Sequence, residues 1–573
     1  MFMKSPGAKA PQVAADLLPL QRLYHCERNF PAHVVLTQPH DGGQVRDTTW
    51  KEVADQTRRV ARFLLAQGWP KGSRIAILGK NSAEWLIADF AIWMAGHVSV
   101  PLYPMQTADN VRQTIGHCGA LACFVGKLDE ISLLQGIDAG VLTIALPLAP
   151  AGVIASSAAD WPDVLTQHEP LQGDVVRAGG ELASIMYTSG TTGQGKGVMH
   201  SFETLTAICL ATQSAVAQPI GGSMLSYLPL AHAMERSSVE IGILHRADWH
   251  VYFVESLATF ANDLRRARPT LFVSVPRLWQ KLQQGVLASV PQHKLSRLLK
   301  VPVLRGIVKR KVLRGLGLER ARYCVSGSAP LSMETIQWFA ALGLPIAEGY
   351  GMTEVANASH IGRPGDLHFG TVGPPIPGVE QRIDPATDEV QLLSPGATLG
   401  YYLEPQLTQE LFTADGWLRT GDTGVIDANG CLRIVGRIKD NFKSSKGKYV
   451  APAPIEHKLS QHTAVETCIV IGANLPQPIA VVVLSDVARA SLPAAQSQLG
   501  EDFSAHLKRI NASLDPHERL DYLVLTTLPW TVEGGLLTPT MKARRPRIEA
   551  VYATSVPIWT AAGNPVVWAE ASF

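Results

Sequence analysis

The sequence predicts an α/β fold with predominantly parallel sheets. Three observations carry this: helix and strand patterns alternate over residues 49–103, the apolar run LASIMYT at 182–188 leads straight into a glycine-rich loop, and 573 residues exceed what one core serves. The first helix opens at Thr49, which with Glu52 makes a capping-box pattern, and Val53, Val60, Phe63 and Leu64 share its apolar face. Gly68 closes it, and RIAIL at 74–78 follows as a strand. A second helix opens on Asn81 with Glu84 and ends near Gly96, after which HVSVPLY reads as a buried strand stopped by Pro104. LASIMYT would deliver its loop at the C-terminal end of a strand, where open α/β sheets place ligands. Near residue 438 the character changes to a polar loop (Lys439, Lys443, Ser444, Ser445, Lys446, Lys448), then helix-like PIEHKLSQ and strand-like TCIVIG and IAVVVL. The chain has no internal repeat and no low-complexity linker.

Composition narrows the function classes. The chain is 46% hydrophobic and 17% charged with a net charge of +2, which gives no global reason to expect nucleic acid as a partner. Its most apolar stretch, Leu86–Tyr103, is interrupted by Asp89 and His97 and punctuated as a core helix plus a strand, not as a membrane span. Met1–Leu20 shows no long apolar core ahead of a small-residue cleavage site, so no secretory leader is expected. The seven cysteines are odd in number, scattered and without a CxxC pair, which fits reduced thiols in a cytoplasmic protein better than disulfides or zinc.

The most informative stretch is Tyr187–His200, YTSGTTGQGKGVMH. Gly190, Gly193, Gly195 and Gly197 let successive N–H groups turn toward one anion, while Ser189, Thr191, Thr192 and Lys196 add hydroxyls and a cation, a composition suited to polyphosphate. Gly190 to Lys196 also fits most of GxxxxGK[ST], but Gly197 stands where that motif needs a hydroxyl for Mg2+. A ligand-free glycine-rich turn is the bland alternative.

The order [YT]SGTTGxxKG resembles the signature loop of the adenylate-forming (AMP-binding) superfamily, which includes acyl-CoA synthetases, firefly-type luciferases and peptide-synthetase adenylation domains. The resemblance extends to SYLPLAHAMER at 226–236, EGYGMTE at 348–354, GWLRTGD at 416–422, GRIKD at 436–440 and LTPTMK at 537–542, all in that family's order. FVSVPRLW at 272–279 and the LPLAHAMER stretch look most like long-chain fatty acyl-CoA synthetases. The resemblance implies a large N-terminal domain (1–437) of mostly parallel sheets flanked by helices, and a small mobile α+β C-terminal domain (438–573) turning on a hinge at Lys439. It further implies ATP-dependent activation of a fatty acid to acyl-AMP, then thioester formation with coenzyme A, the chain being an acid–thiol ligase that uses Mg2+.

Site roles follow from the same resemblance. Thr188, Ser189, Gly190, Thr191, Thr192, Gly193 and Lys196 would hold the β and γ phosphates, with Thr191 and Lys196 acting in catalysis. Glu354 would ligate Mg2+, Thr353 would contact the α-phosphate, and Tyr350, between Gly349 and Gly351, would stack on adenine. Asp422 would accept from both ribose hydroxyls, with Arg437 and Ile434 beside the ribose. Lys542 would bridge the substrate carboxylate and α-phosphate, cations and N–H donors being what an attack on phosphorus needs; a plain basic tail with Arg544, Arg545 and Arg547 is the alternative. Gly447 would let the pantetheine arm pass in the second step, or be an ordinary loop glycine. His232 would position the acyl carboxylate or be a satisfied buried histidine, and Glu235 with Arg236 reads as a structural ion pair.

Segment 294–322 carries ten cations against Glu319 alone, interleaved with aliphatic residues. Such a surface suits peripheral contact with an anionic membrane, at the inner face for a cytoplasmic protein; a solvated helix face and a site for CoA phosphates are the alternatives. Beyond ligation to CoA, three readings remain open: transfer to a carrier-protein pantetheine, a luciferase-like oxygenase, and a nucleotide-binding protein without turnover. One methylene in an apolar tunnel discriminates weakly, so acyl chain length is not legible.

Overall fold

The computed structural model describes residues 13–188, 195–216, 220–532, 534–538 and 542–569. The chain forms two compact units: Met1–Ala329 with Ile336–Gln381 and Leu392–Arg419, and Pro330–Thr335 with Arg382–Gln391 and Thr420–Phe573.

The first unit is built on an eight-stranded sheet in the order 400–401, 196–201, 182–188, 98–102, 74–78, 122–125, 142–145, 159–160. The six strands from 182–188 to 159–160 run parallel, whereas Lys196–Ser201 turns back antiparallel on Leu182–Thr188 and Gly400–Tyr401 pairs antiparallel with it in turn. The central strands are buried on both faces, which explains near-continuous apolar runs such as RIAIL. Two four-stranded sheets accompany it, 223–226/250–253/34–40/44–49 and 271–274/323–326/346–350/360–361.

The sequence pattern anticipates these elements closely. Helix Trp50–Ala66 carries the full Thr49–Glu52 capping box and buries Val53, Val60, Phe63 and Leu64, while Gly68 takes φ 70° beyond its end. The next helix, Ala83–Met94, corrects one expectation: its cap is Ser82, whose hydroxyl accepts from the Trp85 N–H. Asn81 instead spends its amide on Ser226 Oγ at 2.8 Å and the Leu228 carbonyl at 2.7 Å. Serine caps as well as asparagine does, so long-range demand on Asn81 decided between them. Every residue of this helix is buried, as a core helix requires, and no described helix is long and apolar enough to cross a membrane.

The second unit contains a sheet of Val465–Ile471, Ile479–Leu484, Leu523–Thr526 and Val566–Trp568, antiparallel in its first pair and parallel thereafter. IAVVVL is its central ridge. Ala480, Val482 and Leu484 face one core with Ile455, Leu459, Phe503 and Leu507, while Ile479, Val481 and Val483 face another with Trp530, Tyr552 and Trp559. All seven cysteines are unpaired thiols.

Candidate active site

Ser189, Gly190, Thr191, Thr192 and Gly193 lie outside the described residues. The stems of their loop are described: Thr188 and Lys196 are directly opposed partners of an antiparallel pair. The loop therefore leads into a strand, whereas the GxxxxGK[ST] loop opens a helix, and this removes that alternative. It also explains Gly197, since a Cβ there would stand 2.8 Å from the Ile185 side chain.

Alternation along Lys196–Ser201 puts residues 196, 198 and 200 on one face. Tyr401 is the cross-strand partner of Val198 and shares that face. There it joins two residues far apart in sequence. The Lys196 ammonium lies 4.8 Å from the centre of the Tyr401 ring, and the Tyr401 hydroxyl donates to Glu354 Oε1 at 2.9 Å. Glu354 is only 9% exposed, and its backbone carbonyl accepts from the Thr398 N–H at 2.8 Å. His200 completes the grip, its Nε2 lying 2.7 Å from the Thr353 carbonyl. Burial pushes the His200 pKa down to about 4, so the ring is neutral, and because a carbonyl only accepts, Nε2 carries the proton. Burial, and then the adjacent Glu354 carboxylate, raise the Tyr401 phenol, which stays a donor.

The Thr353–Val355 turn that these groups hold is backbone-strained. It leaves through Ala356 at φ 58° and Asn357 at φ 134°, two successive non-glycine residues in left-handed space. Gly351 is required by the same turn, because a Cβ there would stand 1.5 Å from the Asn357 carbonyl oxygen. Gly349 and Tyr350 end the strand before it, paired with Ile361 and His360, and the Tyr350 ring is half-exposed, 6.0 Å from the His360 ring. Lys196, Tyr350, Thr353 and Glu354 thus belong to one constellation in the first unit. Tyr401, His200 and Thr398 escaped sequence reasoning. The i, i+4 spacing of Lys196 and His200 on a strand was the one available signal; nothing local marks Tyr401.

A buried carboxylate and an ammonium held by one tyrosine suit a magnesium polyphosphate, the carboxylate as a hard ligand and the lysine as a counter-charge. Among the described residues there is no group of three or more His, Cys, Asp or Glu arranged to hold a metal ion. Mg2+ held by one carboxylate plus substrate phosphates needs none.

His232 is half-buried and caps the short helix Ala233–Glu235, its Nδ1 accepting from the Met234 N–H at 3.2 Å. Glu235 and Arg236 do not pair. Glu235 accepts from Ser226 Oγ at 2.7 Å and the Tyr227 N–H at 3.1 Å, and burial raises its pKa to about 8. Arg236 reaches Asp89 and Glu240, the latter at 3.0 Å, with Trp85 and Trp93 against its guanidinium. Adjacent helical residues diverge by about 100°, which is why neighbours in sequence serve different partners here.

In the second unit, Asp422 and Arg437 are opposed partners on antiparallel strands, and Arg437 Nε meets Asp422 Oδ1 at 2.8 Å. Ile434, half-buried, opposes Gly424 on the same pair. Lys439 lies in a 3-10 turn, Ile438–Asp440. Gly447 turns the hairpin between Phe442–Lys443 and Tyr449–Val450 at φ 74°, with open space where a Cβ would point. Lys542 is exposed, and a bridge between Leu537 and Ala543 frames it, its N–H bonding Thr538 Oγ1 at 3.0 Å. Arg545 is not part of a loose basic tail: it starts a helix and pairs with Glu456 at 2.6 Å.

A loop stem, a buried carboxylate and a lysine joined on one sheet edge define a nucleotide-binding α/β protein. The chain belongs to the AMP-binding enzyme family, whose profile matches residues 23–401, and the family's C-terminal domain matches residues 439–557. Curated relatives include the long-chain-fatty-acid–CoA ligase FadD15 of Mycobacterium tuberculosis, 28% identical over 93% of this chain and 95% of that protein. Long chain acyl-CoA synthetase 7 of Arabidopsis thaliana, a peroxisomal protein, is 28% identical over 92% of this chain and 85% of its own. In fold the chain is similar to the adenylation domain of a carboxylate reductase from Mycobacterium chelonae, with a TM-score of 0.80 at 21% identity, covering 96% and 92% of the two chains.

Proposed function

We propose that the chain is a Mg2+-dependent, AMP-forming fatty acid–CoA ligase. The observation that carries this reading is the Lys196–Tyr401–Glu354 contact, which ties the exit of the phosphate loop to the carboxylate of EGYGMTE. The names of the curated relatives support the fatty acid and CoA as substrates.

In the first step a carboxylate oxygen of the acid attacks the α-phosphorus of ATP and pyrophosphate departs. Charge grows on the phosphate oxygens, and the loop residues Ser189 to Gly193 together with the Lys196 ammonium would stabilise it. Glu354 would hold Mg2+, which supplies neutralisation of the β and γ phosphates. Thr353 would meet the α-phosphate, Tyr350 the adenine face with Gly349 and Gly351 shaping its approach, and Asp422 with Arg437 and Ile434 the ribose. Lys542 would bridge carboxylate and α-phosphate, and His232 would orient the acid. In the second step residues 438–573 rotate about Lys439, the CoA thiolate attacks the acyl carbonyl, and AMP leaves; Gly447 gives the pantetheine arm room. A cytoplasmic protein resting peripherally at the inner face of a membrane fits substrates that partition into lipid.

ATP–pyrophosphate exchange across acids from acetate to long-chain and aryl acids, followed by addition of CoA and mass identification of products, tests this. Exchange with a fatty acid and formation of acyl-CoA is the expected result. Exchange without acyl-CoA would move the acceptor to a carrier-protein pantetheine, and no exchange with any acid would refute the reading.

A further inference from the structure

Helix Pro302–Leu316 is unusual in burying none of its 15 residues. Its half-buried residues Val308, Lys309, Val312, Leu313 and Leu316 fall on the inner side, and the outward side divides in two. The first turns present Val303 (80% exposed), Leu304 and Ile307 (62% exposed); the later turns present Arg310, Lys311 and Arg314. Arg297 and Lys300, closing the preceding helix Gln292–Lys300, flank the same apolar tip across Val301. An aliphatic tip collared by cations, with no acidic residue between Lys294 and Leu318, is costly to leave in water and matches one environment.

We propose that this tip docks on an anionic phospholipid surface, Val303, Leu304 and Ile307 entering the acyl boundary while Arg310, Lys311, Arg314, Arg297 and Lys300 meet headgroup phosphates. A second copy of the chain is disfavoured by like charge meeting like. Nucleic acid is disfavoured by the absence of Phe, Tyr and Trp from 292–316, the broad rings on which bases stack best. The orientation would bring the ligase to the phase in which long acids reside.

Flotation of the full chain with 100 nm phosphatidylcholine vesicles, with and without phosphatidylglycerol, tests it. Binding is expected only with the anionic lipid and falls as salt rises. Arg310→Gln with Lys311→Gln should weaken partitioning roughly thirtyfold, from about fivefold per cation near the surface. Val303→Ser with Ile307→Ser should weaken it at least tenfold. These positions are exposed, so thermal midpoint and turnover of a short-chain acid should stay at wild-type values. Equal binding to neutral vesicles, or wild-type binding by the Val303→Ser/Ile307→Ser variant, overturns the proposal. So does displacement from vesicles by millimolar CoA, which would make the cations a site for CoA phosphates.

Discussion

Tyr401→Phe isolates a single bond of the candidate site. The substitution keeps the ring against the Lys196 ammonium and deletes only the hydroxyl that donates to Glu354 Oε1 at 2.9 Å. A hydrogen bond to a charged group contributes about 1.5–3 kcal/mol, and at 9% exposure water has little access to replace the lost donor. At about 1.4 kcal/mol per tenfold, the variant should lose roughly 12- to 150-fold in kcat/KM for ATP–pyrophosphate exchange, with a raised Mg2+ requirement. Exchange is the proper assay, because it reads the phosphate site directly. Tyr401→Leu, which also removes the ring beneath Lys196, should lose more. In a cycle with Glu354→Gln the two losses should couple by about 1 kcal/mol or more, as for residues in one network. Exchange by Tyr401→Phe within twofold of wild type at every Mg2+ concentration, or strict additivity in the cycle, would refute the argument that Tyr401 positions Glu354.

Four further outcomes are expected. His200→Leu leaves the Thr353 carbonyl without its donor and should raise KM for MgATP roughly tenfold, while His200→Gln, able to present an N–H, should recover most of it. Because the buried ring titrates at about 4 against 6.5 when unfolded, the unfolded chain binds the extra proton in between; His200 therefore costs stability as pH falls from 6.5 toward 4 and adds no pH dependence above that, so the wild-type thermal midpoint should drop relative to His200→Gln only within this window. Lys542→Ala should slow adenylation on the order of 10²-fold or more, the scale of one transition-state donor, yet convert supplied acyl-adenylate to thioester normally; a normal exchange rate would remove Lys542 from the chemistry. Gly447→Trp should impair thioester formation and spare exchange, whereas Gly447→Asn, which tolerates φ 74°, should affect neither, and equal loss of both steps in the Trp variant would deny the glycine its role.

Local physics made much of the fold legible. The Thr49–Glu52 capping box, the apolar face of Trp50–Ala66, and the doubly buried runs RIAIL and IAVVVL all act over a few residues, so spacing alone reveals them. Asn81 marks the limit. Asparagine and serine cap equally well, and the choice of Ser82 was settled by Ser226 and Leu228, some 145 residues away, whose need for a donor no local pattern displays.

The candidate site divides along the same line. Motifs such as EGYGMTE name groups that would touch the nucleotide, but they are silent about what aims those groups. The aim comes from sheet register. Lys196 begins a strand whose fifth residue, His200, holds Thr353; the strand opposite contributes Tyr401, which holds Glu354; and Thr398, just before it, fixes the Glu354 carbonyl. A register slip of one residue would turn Tyr401 and His200 to the other face and leave the strained Thr353–Asn357 turn without its supports. The short strand Gly400–Tyr401 has only two residues, yet it locks the phosphate-loop lysine and the EGYGMTE carboxylate to a common frame. Changes that shift its register, such as a one-residue deletion ahead of Gly400, should therefore damage adenylation as severely as loss of Lys196 itself.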